Sequence, residues 1–394
     1  MRSLHFSRVA QRALAGSGCE LSCTHAHALS FGLRGYAAMP DNVRAAFGWC
    51  VQQVRQYDYQ NYVWLAQMDK ELRPALFALR AFNIETALVA EQVRSKEGAV
   101  GQIRFQWWRD AVRGAFERRP PPHPVALALA HVLHSPPPAA AAAAAAPSAA
   151  SSASQADSRD SCGTCGTSGG DSSARFAGPG EEEGQAGGAG GGGGAAAAAG
   201  SAAPSRFSRY AFKRIIDDFL DPQPPLSLAA LEQYAEGTAS QLLYLQLSAA
   251  GIRAAEADHA ASHLGRAAGI ATLLRATPAH AAGRRSYLPV DLCAQHRVSQ
   301  EDVYGGQVSE GLRDVVHSVA SLAKGHLDEA RRLAPRLPRG AAGLMLPAVA
   351  VGRYLEALEA ANFDPYDPSL RAGGSGAPLS YVVAVKWHQL RGTY

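Results

Sequence analysis

Apolar residues recur at three- and four-residue intervals along most of the chain, the period of a helix with one buried face. The pattern is helical from about residue 44 to 133. In DYQNYVWLAQMDKELRPALFALRAFNIETALVAEQV, the residues Leu76, Leu79, Phe82 and Leu88 keep that spacing. Pro74 is placed to sit in the first turn of the helix it opens, where its missing N–H costs nothing. GQIRFQWWRDAVRGAF predicts a second helix, and PVALALAHVLH a shorter third. Helical patterning resumes at about 206 and runs to the end, through SLAALEQYAEGTASQLLYLQLSAAGI, HAASHLGRAAGIATLLRA, EGLRDVVHSVASLAKGHLDEARRL and LMLPAVAVGRYLEALEAA. No useful length alternates with period two, and no strand–helix–strand order is visible, so the fold class predicted is all-α. No self-similar period of roughly 20–50 residues is present, which argues against a solenoid.

Residues 135–204 break the pattern. SPPPAAAAAAAAPSAASSASQ, a Gly/Ser stretch, EEE and GGAGGGGGAAAAAG hold almost no large apolar side chains to offset the entropy of ordering. This stretch is expected to be a disordered surface insertion joining two helices. Residues 44–134 and 205–394 are then one helical domain. The 394 residues could house two domains, but without the insertion about 300 remain, which favours one large one.

The formal charge of +4 belongs mostly to the N-terminus. Residues 1–36 carry Arg2, Arg8, Arg12 and Arg34 against Glu20, a balance of +3 that leaves about +1 for the rest. A near-neutral body lacks the basic face that nucleic acid requires. The first 36 residues are rich in Arg, Ser and Ala, with Leu4, Phe6, Val9 and Leu14 able to form an apolar face, the composition of an organellar transit peptide. Arg34-Gly35-Tyr36 before Ala37 has the form of a mitochondrial processing site with arginine just upstream of the cut. No run of about 18 strongly apolar residues predicts a transmembrane helix. Cys162 and Cys165 form a CxxC, but no second pair or His pair accompanies it, so no zinc or redox site is expected. Cys50 and Cys293 are read as core residues.

The stretch GIATLLRATPAHAAGRRSYLP, residues 269–289, is an apolar helix with one arginine, broken at Pro278 and followed by a basic turn. Together with FALRAFNIE, QWW, YAEGTASQLLYL and DHAASHLG, it resembles the squalene/phytoene synthase family of prenyl-transferring proteins. The resemblance runs from about residue 50 to 394 apart from the insertion. It implies a single-domain, isoprenoid-synthase-like helical bundle with a central cavity. It also implies two facing helices, each with a pair of aspartates four apart. Side chains at i and i+4 share a helix face, so such a pair presents two oxygen ligands to Mg²⁺, which neutralises a departing diphosphate.

On that match the acids are mostly missing. Ala87 and Glu91 fall at the first pair of positions, and Ala276 and His280 at the second. Four expected carboxylates have become one, and no Mg²⁺ or other cofactor is expected. Glu85 lies about 240° around the helix from Glu91, and neither Asp258 nor Asp291 stands at a matching position. Pro278 leaves His280 free to project elsewhere than beside Ala276. Arg275, Arg284, Arg285 and Tyr244 could form a vestigial anion or lipid pocket, or the arginines could serve ordinary salt bridges and helix C-termini. Tyr234, Thr238, Ser240 and Tyr244 line one helix in the family, and Ser240 has no paired base that would make it a nucleophile. Trp107 and Trp108 are expected in packing. His259 and His263, four apart, have metal-binding spacing, but no third ligand accompanies them in sequence, so no metal site is expected.

The resemblance is strongest to the mitochondrial branch of the family that assists assembly of respiratory complex I. It implies a non-catalytic protein on the matrix side of the inner membrane, peripherally associated. Its implied partners are complex I subunits or other assembly factors of the membrane-arm module, acting early. Two other functions fit the same scaffold: an active head-to-head prenyl transferase, and a carrier of lipid or prenyl-quinone.

Overall fold

A computed structural model of the chain describes residues 39–92, 98–137, 205–220, 224–371 and 378–394. The expected transit peptide, 1–36, and all but 135–137 of the expected insertion lie outside the described residues. Among the described residues every regular element is a helix, as the apolar period predicts.

The N-terminal half opens with α1 (Asp41–Tyr57) and α2 (Tyr59–Leu65), followed by α3 (Arg73–Gln92). Pro74 is the second residue of α3, and Leu76, Leu79 and Phe82 are fully buried along its inner face. Helices α4 (Gly98–Phe116), α5 (Pro124–His134) and α6 (Arg209–Leu220) complete this half. Phe82 meets Trp108 and Phe212 edge-on, with ring centroids 5.6 and 5.2 Å apart, which locks α3, α4 and α6 together.

The second half begins with α7 (Leu228–Ala235), capped by Ser227, whose hydroxyl accepts from the Ala230 N–H. Its helix continues through a π turn, Glu236–Ser240, into α8 (Gln241–Ala249). Helix α8 packs against α3, α6 and the following helix, α9 (Ala255–Arg275), and so joins the two halves. Helix α9 is central: α7, the π turn, α8, α13 (Glu310–Arg332) and α15 (Pro347–Ala360) all pack on it. The short helices α10 (Thr277–Ala282), α11 (Val290–Gln295) and α12 (Gln300–Gly305) connect α9 to α13. After α14 (Ala341–Leu344), α15 and α16 (Pro368–Arg371), the chain ends in α17 (Pro378–Arg391), which lies on α2 and α15. The Tyr394 hydroxyl then donates to the Ala330 carbonyl of α13 at 2.7 Å.

Candidate functional site

Ala87 is half-buried on α3, and Glu91 is the next-to-last residue of that helix. Helix α9 ends at Arg275, Ala276 caps it with ψ near −2°, still in the right-handed helical region, and α10 restarts with Pro278 in its first turn. The His280 N–H still donates to the Ala276 carbonyl at 2.9 Å. Ala276 and His280 therefore stay one helical turn apart. Pro278 does not interrupt that bond, because its ring occupies a first-turn position of α10 where no donor is needed. The His280 ring lies against Tyr287, centroids 4.7 Å apart. The two motif segments meet where Arg285 Nη1 donates to the Ala90 carbonyl at 3.3 Å.

Arg275, Arg284 and Arg285, for which a vestigial pocket with Tyr244 and ordinary pairing are both open, each have their own partners. Arg275 is exposed and donates to Gln60 on α2. Arg284 takes a left-handed backbone, φ 53°, at the end of α10, which sends its side chain outward to Glu301 and over the Tyr304 ring. Arg285 is committed to α3, and Tyr244 donates to Glu236 at 2.7 Å. Thr238 and Ser240 donate to the backbone carbonyls of Tyr234 and Ser262, at 2.8 and 3.0 Å. Two small clefts lie among the described residues. One of about 240 Å³ lies beside Arg214, Asp217, Asp218 and Tyr234, and another of about 230 Å³ beside Pro225, Leu226, Tyr234 and Tyr287. Both fall below the roughly 300–1,000 Å³ of sites that enclose a drug-sized ligand, and neither is the central cavity expected.

The polar chemistry inside the bundle sits elsewhere. Glu232 and Glu236 are four apart, and Arg266 of α9 reaches both, at 4.0 and 3.1 Å. Glu236 also accepts from Tyr244 and from Ser262, the latter at 2.8 Å. Burial alone would raise the Glu236 carboxyl, but hydrogen bonds led by those from Tyr244 and Ser262 hold it below the ordinary glutamate value. Burial pushes the Tyr244 hydroxyl up, so it remains a donor. A guanidinium thus occupies the place between two carboxylates where a cation would otherwise sit. Nearby, Asp217 pairs with Arg109 at 2.6 Å and Asp218 with Arg214 at 2.9 Å. From Glu232 the network continues outward through His326, His263 and His259.

Sequence reasoning missed this network, although the spacing of Glu232 and Glu236 is the one sought elsewhere in the chain. Asp217 and Asp218 are adjacent, so they diverge by about 100° on α6 and do not read as a pair.

A sequence profile described as squalene/phytoene synthase matches residues 54–146 and 193–379. The chain belongs to the squalene/phytoene synthase family. Among curated relatives, the rat protein named NADH dehydrogenase (ubiquinone) complex I, assembly factor 6 is 32 % identical over 338 residues, covering 85 % of this chain and 80 % of its own length. The human protein of that name is 29 % identical, covering 86 % of this chain and 82 % of its own. Two solved structures share the fold. The squalene synthase HpnC of Alicyclobacillus acidocaldarius aligns with a TM-score of 0.57 at 16 % identity, covering 84 % of this chain and 99 % of the enzyme. A dehydrosqualene synthase in complex with ligand aligns with a TM-score of 0.60 at 13 % identity, covering 89 % and 98 %.

Proposed function

We propose that this member of the family is a non-catalytic factor in the assembly of mitochondrial respiratory complex I. The observation that carries the reading is the donor set at the four motif positions. Ala87 and Ala276 offer no ligand, and His280 offers nitrogen where hard Mg²⁺ prefers oxygen. Glu91 is the one carboxylate left, and a single carboxylate does not fit a Mg²⁺–diphosphate cluster. The dispersed partners of Arg275, Arg284 and Arg285 agree with this, since a diphosphate would need them to converge. The names carried by the rat and human relatives support complex I as the assembly target. In this reading the partners are complex I subunits or other assembly factors of the membrane-arm module, at an early stage.

Residues 1–36 act as the transit peptide, and the mature protein works from the matrix side of the inner membrane. No helix among the described residues is long and apolar enough to cross a membrane. Helix α17 supports a peripheral contact. Leu379, Val383, Trp387 and Leu390 are exposed at 75, 60, 54 and 73 %, while Tyr381 and Val385 face inward. At about 100° per residue the four outward residues form a stripe roughly 80° wide. Lys386 and Arg391 border it, and the Arg391 guanidinium lies 4.1 Å from the centre of the Trp387 ring. An apolar stripe with basic borders suits an anionic lipid surface.

Expression of this chain in cells lacking assembly factor 6 is expected to restore assembled complex I on native gels. The purified full chain, given farnesyl or geranylgeranyl diphosphate with Mg²⁺, is expected to release no diphosphate above the blank. Turnover that disappears in Glu91→Ala would overturn the non-catalytic reading in favour of a prenyl transferase. Imported protein that leaves complex I unrestored would overturn the assembly role, and a prenyl lipid co-purifying in stoichiometric amount would then favour a carrier.

A further inference from the structure

We propose that His259, His263 and Glu329 form a zinc site on the face shared by α9 and α13. One ligand atom from each of the three lies within 4.8 Å of the other two. His259 and His263 come from successive turns of α9, and Glu329 from α13, the helix packed along it. His259 is exposed and the other two are half-buried, so the site opens to solvent on one side. Two imidazoles, one carboxylate and an open position make a donor set that suits zinc.

The geometry between the imidazoles agrees with that assignment. Nε2 of His259 and Nε2 of His263 are 3.1 Å apart. Two nitrogens on a tetrahedral zinc, each at about 2.05 Å, stand about 3.3 Å from one another. Little movement is needed to admit the ion.

The groups behind His263 hold the protons where a ligand requires them. Glu232 Oε1 lies 2.5 Å from His326 Nε2, so the carboxylate accepts and the proton rests on that nitrogen. When that ring carries this one proton, its Nδ1 is an acceptor. It lies 2.9 Å from His263 Nδ1, which must supply the hydrogen. That leaves Nε2 of His263 with a lone pair, aimed at His259. This is the arrangement in which a metal-bound imidazole donates its other N–H to a supporting group, extended by one ring. His326 is buried, which fixes the relay in place. Glu232 and His326 are positioning residues here, with no contact to the ion.

Glu329 is paired with Arg332, at 2.5 and 2.8 Å. The Arg332 side chain is 62 % exposed, so its release toward water costs little, and the carboxylate keeps lone pairs outside that pair. Neither the aspartate-motif positions nor the assembly role is needed for this site, and the inference stands apart from both.

Metal-free full-length protein titrated with Zn²⁺ against a chromophoric chelator tests it. The expected result is one equivalent bound with micromolar affinity or tighter, and Co²⁺ in its place should give the intense visible bands of four-coordinate cobalt. His259→Ala and His263→Ala should each weaken that equivalent at least tenfold, while His317→Ala, on α13 but outside the cluster, should leave it intact. Glu232→Gln should weaken it roughly 10- to 100-fold through the relay. Circular dichroism on each variant separates loss of ligand from loss of fold, and Glu329→Gln, at a half-exposed position, supplies a variant expected to stay folded. An equivalent of zinc that survives both histidine substitutions in folded protein, or no binding below about 100 µM, would overturn the proposal.

Discussion

Gly265 lies where α9 crosses the π turn, and alanine there should destabilise the protein, although alanine normally favours a helix. A Cβ on Gly265 would stand 2.4 Å from Ser240 Cα, 2.6 Å from Ser240 N and 2.3 Å from Ser240 Oγ. Carbon atoms pack at about 3.5–4.0 Å, so the π turn would have to retreat by roughly 1 Å. Two of the close atoms are backbone and cannot rotate away. The same face carries the Ser240 bond to the Ser262 carbonyl and the bonds from Ser262 and Arg266 to Glu236, which would be stretched together. Overpacking of this kind costs about 1–3 kcal/mol, and backbone contact places Gly265→Ala near the upper end. The gain of about 1 kcal/mol in helix propensity offsets part of that, leaving a net loss near 2 kcal/mol. Gly325, on the exposed side of α13, is the internal control, since nothing lies within 4 Å of its Cβ position. Gly325→Ala should stabilise by roughly 0.5–1 kcal/mol. Urea unfolding, followed by far-ultraviolet circular dichroism, should move the two midpoints in opposite directions, about 3 kcal/mol apart. In a body this large each kcal/mol shifts the melting temperature by about 2 °C or less. If both midpoints move the same way, the close approach of α9 to the π turn is not what Gly265 serves.

The folded-state pKa of Glu236 is depressed, so its contribution to stability is present above the ordinary glutamate value of 4.5 and fades as pH falls through the lower folded value. Glu236→Gln should cost about 1–3 kcal/mol at pH 7, and the gap from the parent protein should narrow in acid; a gap independent of pH would remove the carboxylate from the argument. Burial, with Glu85 nearby, pushes the Cys50 thiol up to about 12, so site-resolved mass spectrometry should find it unmodified by iodoacetamide at pH 8 until the protein is unfolded. Trp387→Glu should weaken binding to vesicles containing anionic lipid at least tenfold, since an apolar side chain of that size contributes about 1.5–3 kcal/mol when buried, and unchanged vesicle binding would exclude α17 as the membrane face.

The helices were legible because their apolar period is strong, and the end of α9 was legible from Pro278. The π turn was not. YAEGTASQLLYL keeps a helical pattern, and one wider turn leaves no mark on a period averaged over several turns. The outward course of Arg284 was hidden for a related reason: an arginine in left-handed conformation is uncommon, so GRRSYLP reads as a basic cluster when only its backbone decides where each cation goes. His259 and His263 were visible as a pair. Their partners are 63 to 70 residues away, on α13, and only the packing of α9 on α13 brings His326 and Glu329 to them. Spacing within one helix can nominate two ligands but cannot supply a third from another.

The positions matched to the family's aspartates separate two ways in which a site can change. One is loss of geometry, with motif segments pulled apart or turned away. The other is loss of donors on a retained frame. Ala276 and His280 keep their one-turn spacing through the His280 N–H bond, and Arg285 still ties the turn beyond α10 to α3 at Ala90. One of these bonds is backbone to backbone and the other runs from the Arg285 guanidinium to a backbone carbonyl, so neither depends on the side chains at 87, 276 and 280. The proposed non-catalytic reading therefore rests on residue chemistry at these positions. A frame held in this way can carry alanine at positions 87 and 276 without unfolding, because neither side chain joins the segments. The half-buried charges Glu232, Glu236 and Arg266 are paired with one another. A guanidinium held by two carboxylates is not available to an incoming anion, which a diphosphate site would require.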